Sequence, residues 1–274
     1  MFSLQKISVS VYVAFLPVLL KASDPYLMPA GAAQAGMAYV SVMKPDFWSS
    51  FHNQASLSLY RKYSCGFNYE NRFGLKELGT CTAGFITPAG RASMAGVYSS
   101  FGYKDLRREM AGVACALPVS NKISAGIQID YFSEKTYGEY NNIHTLTFET
   151  GVLISASKDV MIGIHLFNPI PNSIRKNDMV SALAAGVGAT LSNNLFAGIE
   201  TEMTTRGKID LRMGFEYEVA KSFRIRGGFR TMSSSFSFGI GYRAGPAIVD
   251  IAFASHDKLG ITSSVSLIFN IKNL

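Results

Sequence analysis

The residues with the greatest chemical reach in this 274-residue chain are charged and lie on three consecutive stretches. Glu200 and Glu202 are followed by Asp210, Arg212, Glu216 and Glu218, and then by Arg224, Arg226 and Arg230. Within each stretch the charges keep an even spacing, with apolar residues between them. Side chains alternate across a strand, so such a spacing collects the charges on one face. A turn centred on Lys221 would set Glu218 opposite Arg224 and Glu216 opposite Arg226. Facing pairs of opposite charge contribute about 0.2–1 kcal/mol each. Two chemistries fit the pattern: a polar track for a charged group on a substrate, or an ion-pair network that stiffens the wall carrying it.

The remaining reactive residues form no catalytic set. His52, His144, His165 and His256 are far apart and make neither HxH nor HExxH spacing, so no metal site is expected. No GxSxG elbow occurs, and no nucleophile, base and acid assemble from the sequence. The chain therefore reads as a non-enzyme without a cofactor. Cys65, Cys81 and Cys115 form an odd set without metal-ligand spacing, and all three fall in predicted strands as free thiols.

The elements that must position the charges are strands of one kind. From Ile261 to the C-terminus, Ile261, Val265, Leu267, Phe269 and Ile271 alternate with Thr262, Ser264, Ser266, Asn270 and Lys272. Such a strand at the end of a chain must find its partners upstream, which is how an outer-membrane barrel closes. The pattern recurs along the chain. Ile123, Ala125, Ile127, Ile129 and Tyr131 alternate with Ser124, Gly126, Gln128 and Asp130. Alternation predicts strands over 63–73, 79–87, 91–103, 107–117, 123–133, 144–155, 160–168, 180–191, 195–204, 208–219, 223–231, 235–243, 247–255 and 261–273, with 79–103 the least regular. Tight connections, such as 87–90 and 220–222, take turns with longer ones, such as 133–143 and 169–179. The fold class is all-β: an antiparallel transmembrane barrel of about 14 strands.

Composition agrees. Hydrophobic residues make up 48% of the chain and charged residues 16%, against about 25% charged in an ordinary soluble domain. Beyond the N-terminus no apolar run reaches the roughly 18 residues of a spanning helix. The formal charge of +7 comes from residues scattered among strands and turns, so nucleic acid is not an expected partner. About fourteen strands enclose more space than side chains can fill, since about eight already fill a barrel. The apolar face should therefore meet lipid, with Tyr131, Tyr217, Tyr242 and Phe253 near strand ends as an interfacial girdle.

Two segments precede the strands. Residues 1–22 carry a short region with one lysine, an apolar run from Ile7 to Leu20 and a cleavage position at Ala22, and read as a secretory signal peptide. Residues 23–60 lack alternation and read as turns and short helix, a hatch within the lumen of a barrel formed by 61–274. Tyr39, Phe47, Trp48, Phe51 and Asn53 are the candidate hatch and lumen contacts.

The hatch also carries a resemblance. Gly31-Ala32-Ala33-Gln34-Ala35-Gly36-Met37-Ala38-Tyr39-Val40, then Asp46-Phe47-Trp48, then Asn53-Gln54-Ala55-Ser56-Leu57, resembles the start of FadL-like barrels of the PorV/PorQ group. Gln54 and Ser56 stand where that group has Pro and Gly. Ile162-Gly163-Ile164-His165-Leu166-Phe167-Asn168-Pro169 resembles its mid-barrel strand ending in Asn. The resemblance implies a Gram-negative outer-membrane barrel of fourteen strands with an N-terminal hatch. It also implies either passive uptake of small hydrophobic compounds or, as the alternative, an accessory role in a type IX-like secretion or surface-assembly complex. Expected partners are outer-membrane lipid, a hydrophobic small molecule and, under the alternative, a secretion-complex protein.

Overall fold

The computed structural model of the chain describes residues 26–136, 142–170, 172–174 and 177–271. The segment read as a signal peptide, the middle of the 133–143 connection, parts of the 169–179 connection and Lys272 to Leu274 lie outside the described residues.

Fourteen antiparallel strands close into one barrel. The first seven in the chain are β1 (Tyr63–Asn71), β2 (Gly79–Ala89), β3 (Ala92–Tyr103), β4 (Leu106–Pro118), β5 (Ile123–Thr136), β6 (Ile143–Ser155) and β7 (Val160–Phe167). A two-stranded ribbon, β8 (Asn172–Ile174) and β9 (Asn177–Met179), occupies the connection that follows. The barrel resumes with β10 (Ala182–Ser192), β11 (Leu195–Thr204), β12 (Ile209–Ala220) and β13 (Phe223–Arg230). It ends with β14 (Ser235–Ala244), β15 (Ala247–His256) and β16 (Gly260–Ile271). The strands follow the sequence expectation to within a few residues at each end; the ribbon was not anticipated. No helix among the described residues is long and apolar enough to cross a membrane.

The first and last strands seal the wall. Phe67 pairs with Leu267 and Cys65 with Phe269 on the outer face. On the inner face Ser264 and Ser266 donate to the Asn68 Oδ1 atom at 3.1 and 2.8 Å, and Ser64 donates to the Asn270 Oδ1 atom at 2.8 Å. Every polar position of β16 used here was legible as the wet face of the strand. At the tight-turn end, Gly90 and Gly245 take positive φ angles of 59°, the conformation that two-residue hairpins require.

Burial is inverted relative to a soluble barrel. Phe236 on the outer face is 68% exposed, while Asp130, Ser266 and Gln54 are 0% exposed. An apolar belt facing outward and polar groups buried inward suit a bilayer. The three cysteines are free, with Cys65 and Cys81 on the outer, exposed surface.

The lumen is filled by the chain's own N-terminal segment. It contains a short helix, α1 (Ala32–Gly36), and two 3₁₀ turns, Phe47–Phe51 and Gln54–Leu59. Asp46 caps the first turn: its Oδ1 accepts from the Trp48 N–H at 2.8 Å, and Ser49 Oγ accepts from the Asp46 N–H at 3.0 Å. Asn53 caps the second, accepting from the Ala55 N–H at 3.1 Å. Phe47, Trp48 and Leu57 pack against Ile86, Ala95 and Ile268 of the wall. Those inward apolar residues explain why 79–103 alternates poorly: β2 and β3 meet lipid on one side and an apolar hatch on the other.

Inward glycines let the two backbones touch. Gly188, Gly198, Gly214 and Gly228 face one another in register across β10 to β13. A Cβ at Gly214 would lie 2.5 Å from the Met37 carbonyl oxygen, at Gly163 2.1 Å from that of Val42, and at Gly126 2.5 Å from the Ala55 nitrogen. Real atoms do not tolerate such separations, so a side chain there must displace the hatch. Gly163→Leu should lower unfolding stability by about 1–3 kcal/mol and expose the 38–47 segment to protease. Gly84→Ala, whose new methyl would come no nearer than 3.4 Å to any atom, should do neither. Equal protease resistance of the hatch in both variants would contradict this packing.

Candidate functional site

The charged residues singled out in the sequence divide into three groups. Arg212 is the centre of the first. It reaches Asp210 at 2.8 Å, Glu202 at 2.8 Å and Glu200 at 3.3 Å. Arg230 joins it through Asp210 at 2.6 Å. Arg226 is the centre of the second, with Glu216 and Asp250 each at 2.6 Å. Glu218 and Arg224 make a separate, more exposed pair at 3.2 Å near the tight-turn end. The register sets Glu216 opposite Arg226 and Glu218 opposite Arg224, as a turn at Lys221 requires.

The first two groups hold the hatch. The Glu200 Oε2 atom accepts from the Ser41 and Val42 N–H groups at 2.7 and 2.9 Å. Lys44 of the hatch reaches Glu216 at 2.8 Å. Buried backbone N–H groups need acceptors, and a hatch turn without its own ladder takes them from the wall. Lys44 and Asp250 were missed in the sequence. Asp250 lies two strands from Arg226, and the contact passes over Gly241, where a Cβ would lie 2.3 Å from the Asp250 Oδ1 atom and 2.7 Å from the Arg226 Nη1 atom. Glycine on the wet face of β14 was the available signal.

A cavity of about 70 Å³ lies between the hatch and the Arg212 group. The chain from Tyr26 to Pro29 borders it, together with Tyr39. Met28, Phe51, Met110, Phe167, Ala182 and Ala184 form its apolar side. His52, Glu149, His165, Glu200, Glu202, Arg212 and Arg230 form its polar side. Of the five candidate hatch contacts, Tyr39 and Phe51 line this cavity. Phe47, Trp48 and Asn53 do not: Phe47 and Trp48 are packed into the hatch–wall core, and the Asn53 Nδ2 atom donates to the Val42 and Val152 carbonyls at 2.7 and 3.1 Å.

The bordering segment is pinned at one end. The Tyr26 hydroxyl donates to the Glu134 Oε2 atom at 2.7 Å, and Arg108 donates to the same oxygen at 2.6 Å while lying 5.3 Å from the Tyr26 ring centre. At the far side, Ala38 and Tyr39 both take positive φ, 55° and 63°, a conformation that costs an L-residue about 1 kcal/mol or more. The Tyr39 hydroxyl bonds Glu70 of β1. Asn168, the last residue of the resembling mid-barrel strand, also takes a positive φ of 47°. Its side chain accepts from Thr147 at 2.7 Å and donates to the Met179 carbonyl at 3.1 Å, so it fixes the return of the chain above β7.

A second polar cluster, also missed in the sequence, borders the cavity. The Glu149 Oε2 atom accepts from the Gln54 amide at 2.6 Å and lies 2.9 Å from the His165 Nε2 atom. Behind it, Asp130 accepts from Gln128 at 2.8 Å through Oδ1, while its buried Oδ2 has no hydrogen-bond donor. These residues lie on wet faces of β5, β6 and β7, but nothing in the sequence says that the hatch meets them. Among the described residues, no group of three His, Cys, Asp or Glu side chains could hold a metal ion.

Comparison with known proteins rests on shape. No protein-family model matches the chain, and no curated protein sequence matches it. Among solved structures, the toluene transporter TbuX of Ralstonia pickettii aligns with a TM-score of 0.68 at 11% identity, over 89% of this chain and 97% of that one. The toluene transporter TodX of P. putida gives 0.68 at 9% identity, over 90% and 100%. A FadL homologue of Pseudomonas aeruginosa gives 0.65 at 11% identity, over 88% and 98%. The fold is thus that of the FadL-type barrels; nothing singles out the PorV/PorQ group within them.

Two hatch groups titrate in opposite senses. Burial lowers the His52 imidazole to about 4, and its Nε2 lies 2.7 Å from the Ala30 carbonyl. Burial raises the Asp46 carboxyl to about 7, against the pull of Lys44. His52 titrates near 6.5 when unfolded, so the stability it lends is present above that pH and is lost as pH falls towards 4, by about 3 kcal/mol at most. Asp46 titrates near 3.8 when unfolded and binds its proton earlier in place, so it lends stability below 3.8 that is lost as pH rises towards 7. The two offset each other in the native hatch. Relative to the native protein, His52→Gln should make the hatch more protease-resistant as pH drops from 7 to 4, and Asp46→Asn less. Parallel pH curves for all three would contradict these assignments.

Proposed function

We propose that this protein is a passive outer-membrane channel for small hydrophobic compounds, gated by its N-terminal hatch. The observation that carries the reading is the cavity between the hatch and the wall, half apolar and bordered by the strip Tyr26–Pro29, inside a barrel of the FadL-type fold. The likeness to barrels described as toluene transporters supports the substrate class. The lipid-facing belt and the secretory signal read from residues 1–22 support placement in the outer membrane of a Gram-negative cell, with outer-membrane lipid as the constant partner.

In this reading the cavity is a stopping place. The hatch fills the passage below it, and only displacement of hatch residues can extend the cavity through the barrel. Carboxylate and ammonium contacts that tie Ser41, Val42 and Lys44 to the wall set the resistance to that displacement. The charge network therefore acts chiefly as a holdfast for the gate.

The test uses asymmetric bilayers with a lipopolysaccharide outer leaflet, which hydrophobic solutes cross slowly on their own. The full-length mature protein should raise toluene uptake above that of protein-free membranes. Removal of residues 28–57 should open a lumen that also conducts ions. If the native barrel leaves toluene uptake at the protein-free rate and the deletion changes neither uptake nor conductance, the channel reading fails, and an accessory role in a secretion or surface-assembly complex becomes the reading to pursue.

A further inference from the structure

We propose that the tight-turn rim of the barrel is a collar for the phosphate groups of anionic phospholipids, of the phosphatidylglycerol class, and that the opposite rim is not. The inference rests on the placement of the barrel in a membrane and goes beyond the channel reading by naming the lipid that one end of the wall recruits.

The cations at this end are spread around the circumference. Arg61 and Lys62 precede β1 where it meets β16, and Arg91 lies in the β2–β3 turn. Lys122 lies in the β4–β5 turn, Lys158 in the β6–β7 turn and Lys221 in the β12–β13 turn. All six are exposed. None makes an ion pair among the described residues. Arg61 donates to the Arg91 carbonyl at 3.0 Å and to the Gly90 carbonyl, and Lys62 lies 5.9 Å from the Tyr60 ring centre. Asp159 is the one carboxylate in these turns. On the inner face of the same rim, Arg224 is paired with Glu218 at 3.2 Å, and Arg243 has no ion pair among the described residues. Farther in, Lys44 and Arg226 face Glu216, Asp250 and Asp46, so the excess of cations belongs to the rim.

The opposite rim mixes the two signs. Lys76 adjoins Glu77, Lys104 adjoins Asp105, Lys135 adjoins Glu134 and Lys258 adjoins Asp257. Arg72 binds Glu70 at 2.8 Å, and Arg107 binds Glu109 at 3.0 Å. Arg206 and Lys208 share a recess with Glu202 and Asp210. Charges of alternating sign cancel over a few ångströms, and salt screens what is left beyond about 8–10 Å. A ring of one sign keeps its field and draws anions to that end of the barrel.

The distribution decides the partner. An acidic protein would dock on cations gathered on one side, whereas cations set at one level around a wall meet a layer that surrounds the barrel. The side chains just above them belong to the lipid-facing belt. Val119 and Ile123 flank Lys122, Val219 stands beside Lys221, Met94 above Arg91, and Tyr63 beside Arg61, each 41–60% exposed on the outer wall. Tyr63, Tyr217 and Tyr242 mark the end of the belt at this rim, where a girdle of aromatic residues meets the interface. A strand rises about 3.3 Å per residue, so cations one to four residues beyond that level stand among the phosphates. Lysine and arginine stems lie along apolar surface while their charged heads stay in the headgroup layer. The β10–β11 and β14–β15 turns carry Asn193 with Asn194 and Gly245 with Pro246 instead, which leaves the collar open at two places.

The experiment places the mature protein in phosphatidylcholine bilayers. Electron spin resonance then reads how strongly trace spin-labelled phosphatidylglycerol and spin-labelled phosphatidylcholine associate with the wall. The native barrel should hold phosphatidylglycerol at least about twofold more strongly at about 0.1 M salt. Most of that preference should vanish at about 1 M, where the screening length falls to about 3 Å. A collar variant combines Arg91→Gln, Lys122→Gln, Lys158→Gln and Lys221→Gln, whose side chains make no hydrogen bond among the described residues. It should lose at least about half of the preference, and Lys158→Gln and Lys221→Gln alone should each lose a smaller part. A control variant with Lys76→Gln, Lys104→Gln and Lys258→Gln at the opposite rim should keep the native value. Heat-modifiable migration on gels checks that each variant folds. Equal association of the two lipids with the native barrel, a collar variant that keeps the preference, or a control that loses it as fully would each overturn the proposal. So would salt-sensitive binding of polyglutamate to a barrel that shows no lipid preference, which would assign the cations to an acidic protein. Toluene uptake is a separate readout: its absence would sink the channel reading and leave the lipid preference measurable.

Discussion

The contact on which the rest depends is the direct apposition of hatch backbone and wall backbone. A barrel of fourteen strands encloses more volume than its inward side chains can fill, and an unfilled lumen would leave the polar inner face without structure. Here the chain fills the lumen with its own N-terminal segment, and it does so by omitting side chains where the two meet. Gly126 and Gly163 admit the hatch from one side, and the row Gly188, Gly198, Gly214 and Gly228 from another. Close approach in turn leaves hatch N–H groups facing the wall without a ladder. The wall answers with carboxylates, as Glu200 does for Ser41 and Val42.

Burying those carboxylates imposes the next requirement. A lone buried charge is costly, and a buried pair is tolerated only with further hydrogen bonds around it. Arg212 and Arg226 each serve several acids, Arg212 on its own strand and on β11, Arg226 on β12 and, across β14, on β15. This arrangement makes the charge network and the hatch mutually dependent. The guanidiniums hold the acids in place, and the acids anchor the hatch that shields them from water.

Much of this was legible in the sequence, and the boundary of legibility has a physical cause. Alternation is a local property, so the strands, their faces and the closure of β1 on β16 could be read residue by residue. The Glu216–Arg226 and Glu218–Arg224 pairs were readable because one tight turn fixes their register. The Asp250–Arg226 contact was not, because it skips a strand and depends on Gly241 being bare. Glu149, His165 and Gln54 could not be grouped either, since the path of an irregular segment through a lumen is a matter of packing. The same limit explains why Tyr39, Phe47, Trp48, Phe51 and Asn53 looked alike. All are aromatic or polar residues in one non-periodic stretch, and only the course of the hatch separates Tyr39 and Phe51, which line the cavity, from the other three, which build the plug.

That separation bears on how such a gate can move. The stretch containing Phe47, Trp48 and Asn53 is capped twice, packed against β2, β3 and β16, and hydrogen-bonded to Val152. Freeing it would break a core. The part bordering the cavity is held by the Tyr26 hydroxyl on Glu134, by the Tyr39 hydroxyl on Glu70, and by packing of Tyr26, Leu27 and Met28 in a cluster that includes Met110, Phe132 and Phe167, and it runs into a turn in which Ala38 and Tyr39 take positive φ. A residue held in a left-handed conformation stores strain that a change of the backbone can release. Motion should therefore begin at the 38–39 turn, with the capped 3₁₀ turns as the fixed base. On this view the hatch is two structures in series, a lip that admits a ligand to the cavity and a plug that must be displaced before the ligand can leave on the other side.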